Sequence, residues 1–241
     1  MKEQELLVTK ASVYIGVLFG VIDLIESRII EDYSNPEDIL LDEGFFYPES
    51  LASKVRSSSE VAIRVYSGYP DSYIGEFELE DIHTKITVVN SEYTYTGFPY
   101  YEAFRRAATV ALTFDRELIR GMADRTTRSG IEYIIMYTNR GSLLRLEGEY
   151  LRVRLPFVRI AGSIHTHPEG SCGLSRADVE SGLDLLSEGG LFEASATLSC
   201  AFLMYRRGLV SEDAYISVKS MKSNVIKPLN LGSIIFEPIL Y

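Results

Sequence analysis

Two histidines near the middle of the chain are spaced as metal ligands can be. His165 and His167 lie in Ser163-Ile164-His165-Thr166-His167, which the pattern predicts to be a strand. Side chains two residues apart on a strand project from the same face, so both imidazoles should point the same way. Because Pro168 cannot continue a strand ladder, the pair should lie at a strand end, where a ligand has access. Two imidazoles supply half of a zinc site.

A carboxylate follows in Ser175-Arg176-Ala177-Asp178. Taken alone, this segment predicts the start of a helix, with Ser175 as the N-cap and an acid three residues later, much like a capping box. The same helix start would fix the Asp178 carboxylate in a rigid first turn, and a loop over residues 169–174 could return it to the imidazoles. Two histidines and one carboxylate leave a fourth tetrahedral position for water, which is the pattern of catalytic zinc sites.

Together, these residues resemble the signature of the JAMM (MPN-plus) metallopeptidases. His165-Thr166-His167-Pro168, six residues and Ser175-Arg176-Ala177-Asp178 match the pattern His-x-His-Pro, six residues, Ser-x-x-Asp in full. The resemblance covers roughly residues 105–220 and extends to nothing in residues 1–100. It implies a cytidine-deaminase-like JAMM/MPN domain over residues 101–241, with a mixed central sheet flanked by helices. The pattern of helices and strands in residues 1–100 predicts a smaller α+β amino-terminal domain before it, for recognition or partner binding, so the expected fold class is α/β (α+β).

The family also needs a glutamate on a neighbouring strand farther upstream. The candidates are Glu117, Glu132, Glu147 and Glu149. We expect Glu132, because it opens the apolar run Glu132–Tyr137 directly after a helix and a Ser-Gly break, an arrangement similar to the family's. Glu147 and Glu149 lie in an alternating strand, where exposure to solvent is the simpler interpretation.

The resemblance implies a role for each site residue. His165, His167 and Asp178 would hold one Zn²⁺ ion with a bound water, whose pKa falls from 15.7 toward about 7 on such a metal. Glu132 would take the proton of that water and later deliver it to the departing amine. Ser175 would donate its hydroxyl to the oxyanion of the tetrahedral intermediate, in addition to capping the helix.

The predicted function is a zinc-dependent peptidase or isopeptidase that acts on a ubiquitin-like protein or its conjugates. The extended tails of such substrates can dock as an added strand, and Ser142–Val153 stands where family members hold them. Two alternatives remain open: a non-catalytic MPN-type scaffold subunit, and a DNA-repair role like that of RadC proteins, which have a similar motif. Scaffold subunits typically lack the metal ligands that this chain has, and the helix-hairpin-helix glycines of RadC proteins are missing here.

Composition narrows the partners and the location. The chain has 241 residues, of which 46% are hydrophobic and 24% charged, an ordinary globular composition. Its net charge of −10 disfavours nucleic acid, since acidic surfaces repel phosphates, and a homo-oligomer or a complex subunit stays open. The apolar run Ala11–Ile22 ends at Asp23, short of the roughly 20 residues that span a bilayer. We expect a buried core helix, no membrane partner and a cytoplasmic protein.

The elements around the site follow from periodicity, prolines and glycines. Before a junction at Gly97-Phe98-Pro99, the pattern predicts helices over Val8–Ile30, from Asn35-Pro36 and from Pro48-Glu49, and strands over Glu60–Tyr66, Tyr73–Leu79 and Lys85–Tyr95. After it, the pattern predicts helices over Asp115–Arg128 and Ser175–Ser187, and strands over Ala107–Phe114, Ile131–Thr138, Ser142–Val153, Val158–His167, Ala194–Tyr205 and Asp213–Lys219.

The remaining metal-binding residue types have several interpretations. Cys172 lies in the predicted metal loop and could be a fourth ligand, although a thiolate would close the position that water needs. Cys200 lies in an apolar run that predicts core packing. A disulfide between Cys172 and Cys200 would tie the loop to a core strand, although such bonds are unusual in the cytosol. His83, in a polar loop, is predicted to lie at the surface.

Overall fold

The computed structural model describes residues 5–30, 38–44, 46–91, 97–147, 159–168, 170 and 172–240. The α-helices are α1 (Lys10–Ile25), α2 (Pro48–Ser57), α3 (Ala103–Phe114), α4 (Arg116–Ser129), α5 (Arg176–Ser187) and α6 (Glu212–Lys219). The strands are β1 (Glu5–Leu7), β2 (Leu40–Asp42), β3 (Glu60–Tyr66), β4 (Tyr73–Leu79), β5 (Thr84–Asn90), β6 (Gly97–Pro99), β7 (Tyr133–Thr138), β8 (Leu143–Glu147), β9 (Ile160–Thr166), β10 (Phe192–Ala196), β11 (Cys200–Arg206), β12 (Leu229–Asn230) and β13 (Ile234–Leu240).

The strands form two mixed sheets. The larger sheet has the order β1-β8-β7-β9-β10-β11-β13-β12, and the smaller has the order β4-β5-β3-β2-β6. In the larger sheet β9 and β10 are parallel, while β7 runs antiparallel to β9. Helices cover both faces of this sheet. Leu203 of β11 packs in the core with α1 and α3, whereas its neighbour Met204 points to the other face and packs with α5 and α6. The mixed α/β class is as predicted.

Helix α1 is enclosed between the two sheets. Residues on every side of it are buried, as expected of a helix that is apolar all round. A side chain at Gly16 would lie 2.8 Å from the backbone of Gly141, beside the larger sheet, and one at Gly20 would clash with the Phe77 ring of the smaller sheet. Both glycines therefore allow close packing. No helix within the described ranges has the length and apolar character needed to cross a bilayer.

The two halves of the chain share buried residues. Ile63 and Val88 of the smaller sheet and Ile135 and Phe192 of the larger sheet belong to one hydrophobic cluster. Strand β1, from the first hundred residues, also pairs with β8. The division into residues 1–100 and 101–241 stays a prediction.

Several predicted elements agree with the structure. Strands β3 and β4 have the predicted bounds, and α2 begins at Pro48, where proline suits the first helical turn. The first predicted helix is α1 followed by a π-helical turn over Glu26–Ile30. Gly130, with φ of 73°, ends α4 in the left-handed conformation that glycine favours. The predicted helix at Asn35-Pro36 and the ends of the strands predicted to reach Tyr95 and Val153 lie outside the described residues.

Two predicted strands are wrong, and a third is divided in two. Ala107–Phe114 belongs to helix α3, whose buried residues recur at helical spacing. Asp213–Lys219 belongs to α6, which Ser211 caps by accepting a hydrogen bond from the Ala214 amide. Ala194–Tyr205 is divided between two antiparallel strands, β10 and β11. The chain turns between them, where the Thr197 hydroxyl accepts hydrogen bonds from the Ser199 and Cys200 amides.

The prediction that the Asp115 side chain caps α4 is wrong. Asp115 occupies the N-cap position, but its carboxylate makes no capping hydrogen bond. Instead, Asp115 Oδ2 accepts hydrogen bonds from Thr9 Oγ1 and Tyr137 Oη, both at 3.0 Å. The carboxylate thus ties the start of α1 to β7.

Candidate metal centre

The two histidines lie together at the end of β9. His165 is in the strand and His167 directly follows it, and both are buried. Their Nε2 atoms are 3.0 Å apart. Thr166 between them points to the opposite face, where its Oγ1 lies 2.6 Å from Thr126 Oγ1 of α4. The alternation of the strand therefore places both imidazoles on one face, as the sequence predicts.

Asp178 reaches the histidines from the first turn of α5. The Ser175 amide donates to Asp178 Oδ2 at 2.6 Å, and the Asp178 amide donates to Ser175 Oγ at 3.2 Å. This is the predicted capping box. The box holds the carboxylate so that Oδ1 is 3.3 Å from His165 Nε2 and Oδ2 is 3.3 Å from His167 Nε2. One donor atom from each of these three residues lies within 4.8 Å of the others, and together they could hold a metal ion.

Charge pairing controls the ionisation of this cluster. Burial opposes a charge on His165, but its hydrogen bonds with Asp178 and Glu193 outweigh that effect and raise the pKa of His165 to about 10. Burial would likewise raise the pKa of Asp178, yet hydrogen bonds from His165 and His167 hold that pKa well below its usual value. A metal ion would compete with a proton for the same imidazole nitrogen, since only a neutral imidazole binds metal.

Glu132 stands beside the histidines at the start of β7. The antiparallel register pairs Ile134 with His165, and continuing it by two residues sets Glu132 opposite His167. Glu132 Oε1 is 4.0 Å from His167 Nε2, and the glutamate side chain is 50% exposed. Of the other candidates, Glu117 is exposed in the first turn of α4, and Glu147 is at the end of β8, one strand farther away. Glu149 lies outside the described residues.

The loop between the histidines and α5 is tied down at several points. Cys172 forms a disulfide with Cys200, the first residue of β11, so Cys172 is not a thiolate ligand. Ser195 Oγ donates to the Gly173 carbonyl at 2.7 Å. Leu174 pairs with Val225 through two backbone hydrogen bonds of 2.9 Å. These contacts restrain the segment that leads into Ser175. His83 is exposed, as predicted.

One residue of this cluster, Glu193, is not predicted from the sequence. It lies in β10 and is buried, and its Oε1 is 2.8 Å from His165 Nδ1. The signal in the sequence is an acid inside the otherwise apolar and small run Leu191-Phe192-Glu193-Ala194-Ser195-Ala196. That signal marks an unusual core position, but only the pairing of β10 with β9 shows which residue it contacts.

No protein-family model matches this chain, and no curated protein or solved structure is significantly similar to it. The resemblance to JAMM metallopeptidases therefore rests on the motif. The interpretation of the site rests on the motif together with the positions of its side chains.

Proposed function

We propose that this protein is a zinc-dependent hydrolase of the JAMM type, which cleaves peptide or isopeptide bonds at the carboxy-terminal tail of a ubiquitin-like protein. One observation carries the proposal: the two imidazoles and the Asp178 carboxylate converge on one point, with Glu132 beside them. An acid at this position is what a metal-assisted hydrolase needs for proton transfer.

The distances within the cluster suit zinc. Tetrahedral zinc with ligand distances of about 2.0–2.1 Å has ligand atoms about 3.3 Å from one another. Here the Nε2 atoms are 3.0 Å apart, and each is 3.3 Å from a different Asp178 oxygen, Oδ1 for His165 and Oδ2 for His167. Imidazole and carboxylate are also ligands that zinc accepts. Three protein ligands would leave one tetrahedral corner for water or substrate.

The residues around that corner have distinct tasks in the proposed reaction. Zinc held by His165, His167 and Asp178 would supply an acidic, nucleophilic water at neutral pH. The Glu132 carboxylate, half exposed and next to His167, would accept a proton from this water and pass it to the departing amine. Ser175 Oγ accepts a hydrogen bond from the Asp178 amide, so its own hydroxyl proton can be donated to the oxyanion of the tetrahedral intermediate.

The edge of β8 offers a place for an extended tail. Glu5–Leu7 of β1 already pair with Leu143–Arg145, and within the described residues nothing pairs with the outer edge of Leu146 and Glu147. This part of β8 is also nearest to the site, because Glu147 pairs with Tyr133, the neighbour of Glu132. A substrate tail would therefore add to β8 beside Leu146 and Glu147, past the segment that β1 covers.

The test combines metal content with cleavage. The purified protein should contain about one zinc per chain by elemental analysis, and it should cleave a ubiquitin-like protein fused through its tail to a reporter. A chelator should stop cleavage and added zinc should restore it. Glu132→Gln should keep the zinc but lose cleavage by a factor of about 10²–10⁴. Glu117→Gln, which removes the same charge from an exposed position in the first turn of α4, is the matched control and should keep both.

Two results would contradict the proposal. Cleavage that survives Glu132→Gln would remove the assigned proton carrier, and a wild-type chain that binds no zinc would favour the non-catalytic scaffold.

A further inference from the structure

Glu193 is a carboxylate buried directly behind a metal-binding imidazole. It is 5% exposed and lies on β10, whose parallel pairing with β9 sets Glu193 against Ser163 and Ser195 against His165. Its Oε1 is 2.8 Å from Nδ1 of His165, the ring nitrogen that does not face the other ligands. Glu193 therefore contacts the site from behind, without reaching the ligand atoms.

This contact determines which nitrogen of His165 carries a proton. An ionised carboxylate accepts hydrogen bonds and donates none, so Nδ1 must be the donor. In a neutral imidazole, a proton on Nδ1 leaves the lone pair on Nε2. Nε2 is the atom that lies 3.0 Å from His167 Nε2 and 3.3 Å from Asp178 Oδ1. The hydrogen bond thus selects the tautomer that can bind a metal, and it limits rotation of the ring.

The surroundings of Glu193 make a purely structural role costly. A buried carboxylate loses its hydration, which costs free energy unless the group is paired and hydrogen-bonded. Helix α5 packs closely over this side chain: a Cβ at Gly182 would lie 3.1 Å from both Cβ and Cγ of Glu193. The fold therefore excludes water from this carboxylate and holds it against a single imidazole.

We propose that Glu193 is a positioning residue, which fixes the tautomer and orientation of His165 and so raises the affinity of the site for zinc without being a ligand. This inference rests on the metal site proposed above. Carboxylates hydrogen-bonded to a metal-binding histidine typically contribute about 10-fold to 100-fold in metal affinity. Glu193 should contribute within that range.

Two substitutions measure this contribution. Glu193→Ala removes the acceptor and should weaken zinc binding about 100-fold, whereas Glu193→Gln keeps a weaker, neutral acceptor and should weaken it about 10-fold. Affinity is measured by competition with a chromophoric chelator. The absorption spectrum of the cobalt-substituted protein reports the ligand geometry, and it should change in both variants. Glu188→Gln, which removes the same charge from an exposed position at the end of α5, should match the wild type.

The outcomes separate this inference from the proposed function. A wild-type chain that binds no zinc defeats the proposed function, and this inference falls with it. If the wild type binds zinc and Glu193→Gln binds it equally well with an unchanged cobalt spectrum, the positioning role alone is overturned. Unfolding by urea in excess chelator is the second measurement. A loss of metal-free stability without a loss of zinc affinity would assign Glu193 to the core and also overturn the inference.

Discussion

The disulfide between Cys172 and Cys200 should stabilise the whole fold while having little effect on the metal ligands. It joins residues 28 apart in sequence and encloses α5 and β10. Cross-linking restricts the unfolded chain, and for a closed loop of this length the chain-entropy relation gives about 3.6 kcal/mol at 25 °C. The double substitution Cys172→Ala/Cys200→Ala, or reduction of the wild type, should lower the free energy of unfolding by about 3–4 kcal/mol.

Zinc affinity should respond much less, because other contacts restrain the same loop. Ser195 Oγ still donates to the Gly173 carbonyl, and Leu174 still pairs with Val225. Asp178 is held by its own capping box with Ser175. We therefore expect zinc binding to weaken less than 10-fold when the disulfide is lost, below the 10-fold to 100-fold typical of groups that position a ligand directly.

Urea denaturation in the presence of chelator measures the free energy of unfolding, and chelator competition measures the zinc affinity. Reductant should lower the urea midpoint of the wild type and leave that of the double variant unchanged. The double variant therefore controls for any other effect of the reductant. Mass analysis of the non-reduced, alkylated protein shows whether the bond forms. Two free thiols, or equal responses of wild type and variant to reductant, would refute this reasoning. A zinc affinity that falls as far as in Glu193→Ala would refute the separation of fold from site.

Three further predictions concern single residues. Ser175→Ala should lower kcat by about 10²–10³ with little change in KM. It should also lower the free energy of unfolding in urea by about 1 kcal/mol, because the helix cap is lost. A change in KM alone would contradict the oxyanion role. In chelator, the charged His165, whose pKa rises from 6.5 to about 10, should stabilise the fold fully below about pH 6.5 and lose this effect as the pH rises toward 10. The stabilisation from Asp178, whose pKa is lowered, should disappear as the pH falls below about 4. Urea midpoints across pH test both, and His165→Gln should flatten the profile. Burial raises the pKa of Asp115, although the hydrogen bonds from Tyr137 and Thr9 oppose this shift. Asp115→Asn keeps an acceptor and should change the free energy of unfolding in urea very little. Asp115→Ala leaves the buried Tyr137 hydroxyl without an acceptor and should lower that free energy by about 1–3 kcal/mol.

Where the sequence predicts the fold correctly, the signal is local. Strand β3 alternates buried and exposed residues along its length, and proline and glycine mark the start of α2 and the end of α4. The run Ala107–Phe114 fails because its Val and Thr residues suit a strand, while its burial follows the helical period only when Ala103 and Phe104 are included. Packing of α3 against α1 and β10 decides the conformation, and a sequence window does not show that packing.

The candidate site also has residues that a local signal predicts and residues that depend on strand pairing. The histidines and Asp178 are predictable because one short loop joins the end of β9 to the start of α5. The disulfide and Glu193 are not, because each depends on which strand lies beside another. Cys200, at the start of β11, meets Cys172 of the loop between β9 and α5, and Glu193 meets His165 only through the pairing of β9 with β10.

The topology explains why these groups meet at one point. β9, α5 and β10 form a parallel strand-helix-strand unit, in which the helix must begin at the end of the first strand and return to place the second strand beside it. The first turn of α5 therefore delivers Asp178 to the strand end that carries the histidines, and the return strand delivers Glu193 behind them. Glu132 reaches the site differently, through the antiparallel register of β7 against β9. Because a slip of one residue in that register would turn the Glu132 side chain to the other face of the sheet, the proposed reaction depends on the pairing of Ile134 with His165 as much as on the ligands themselves.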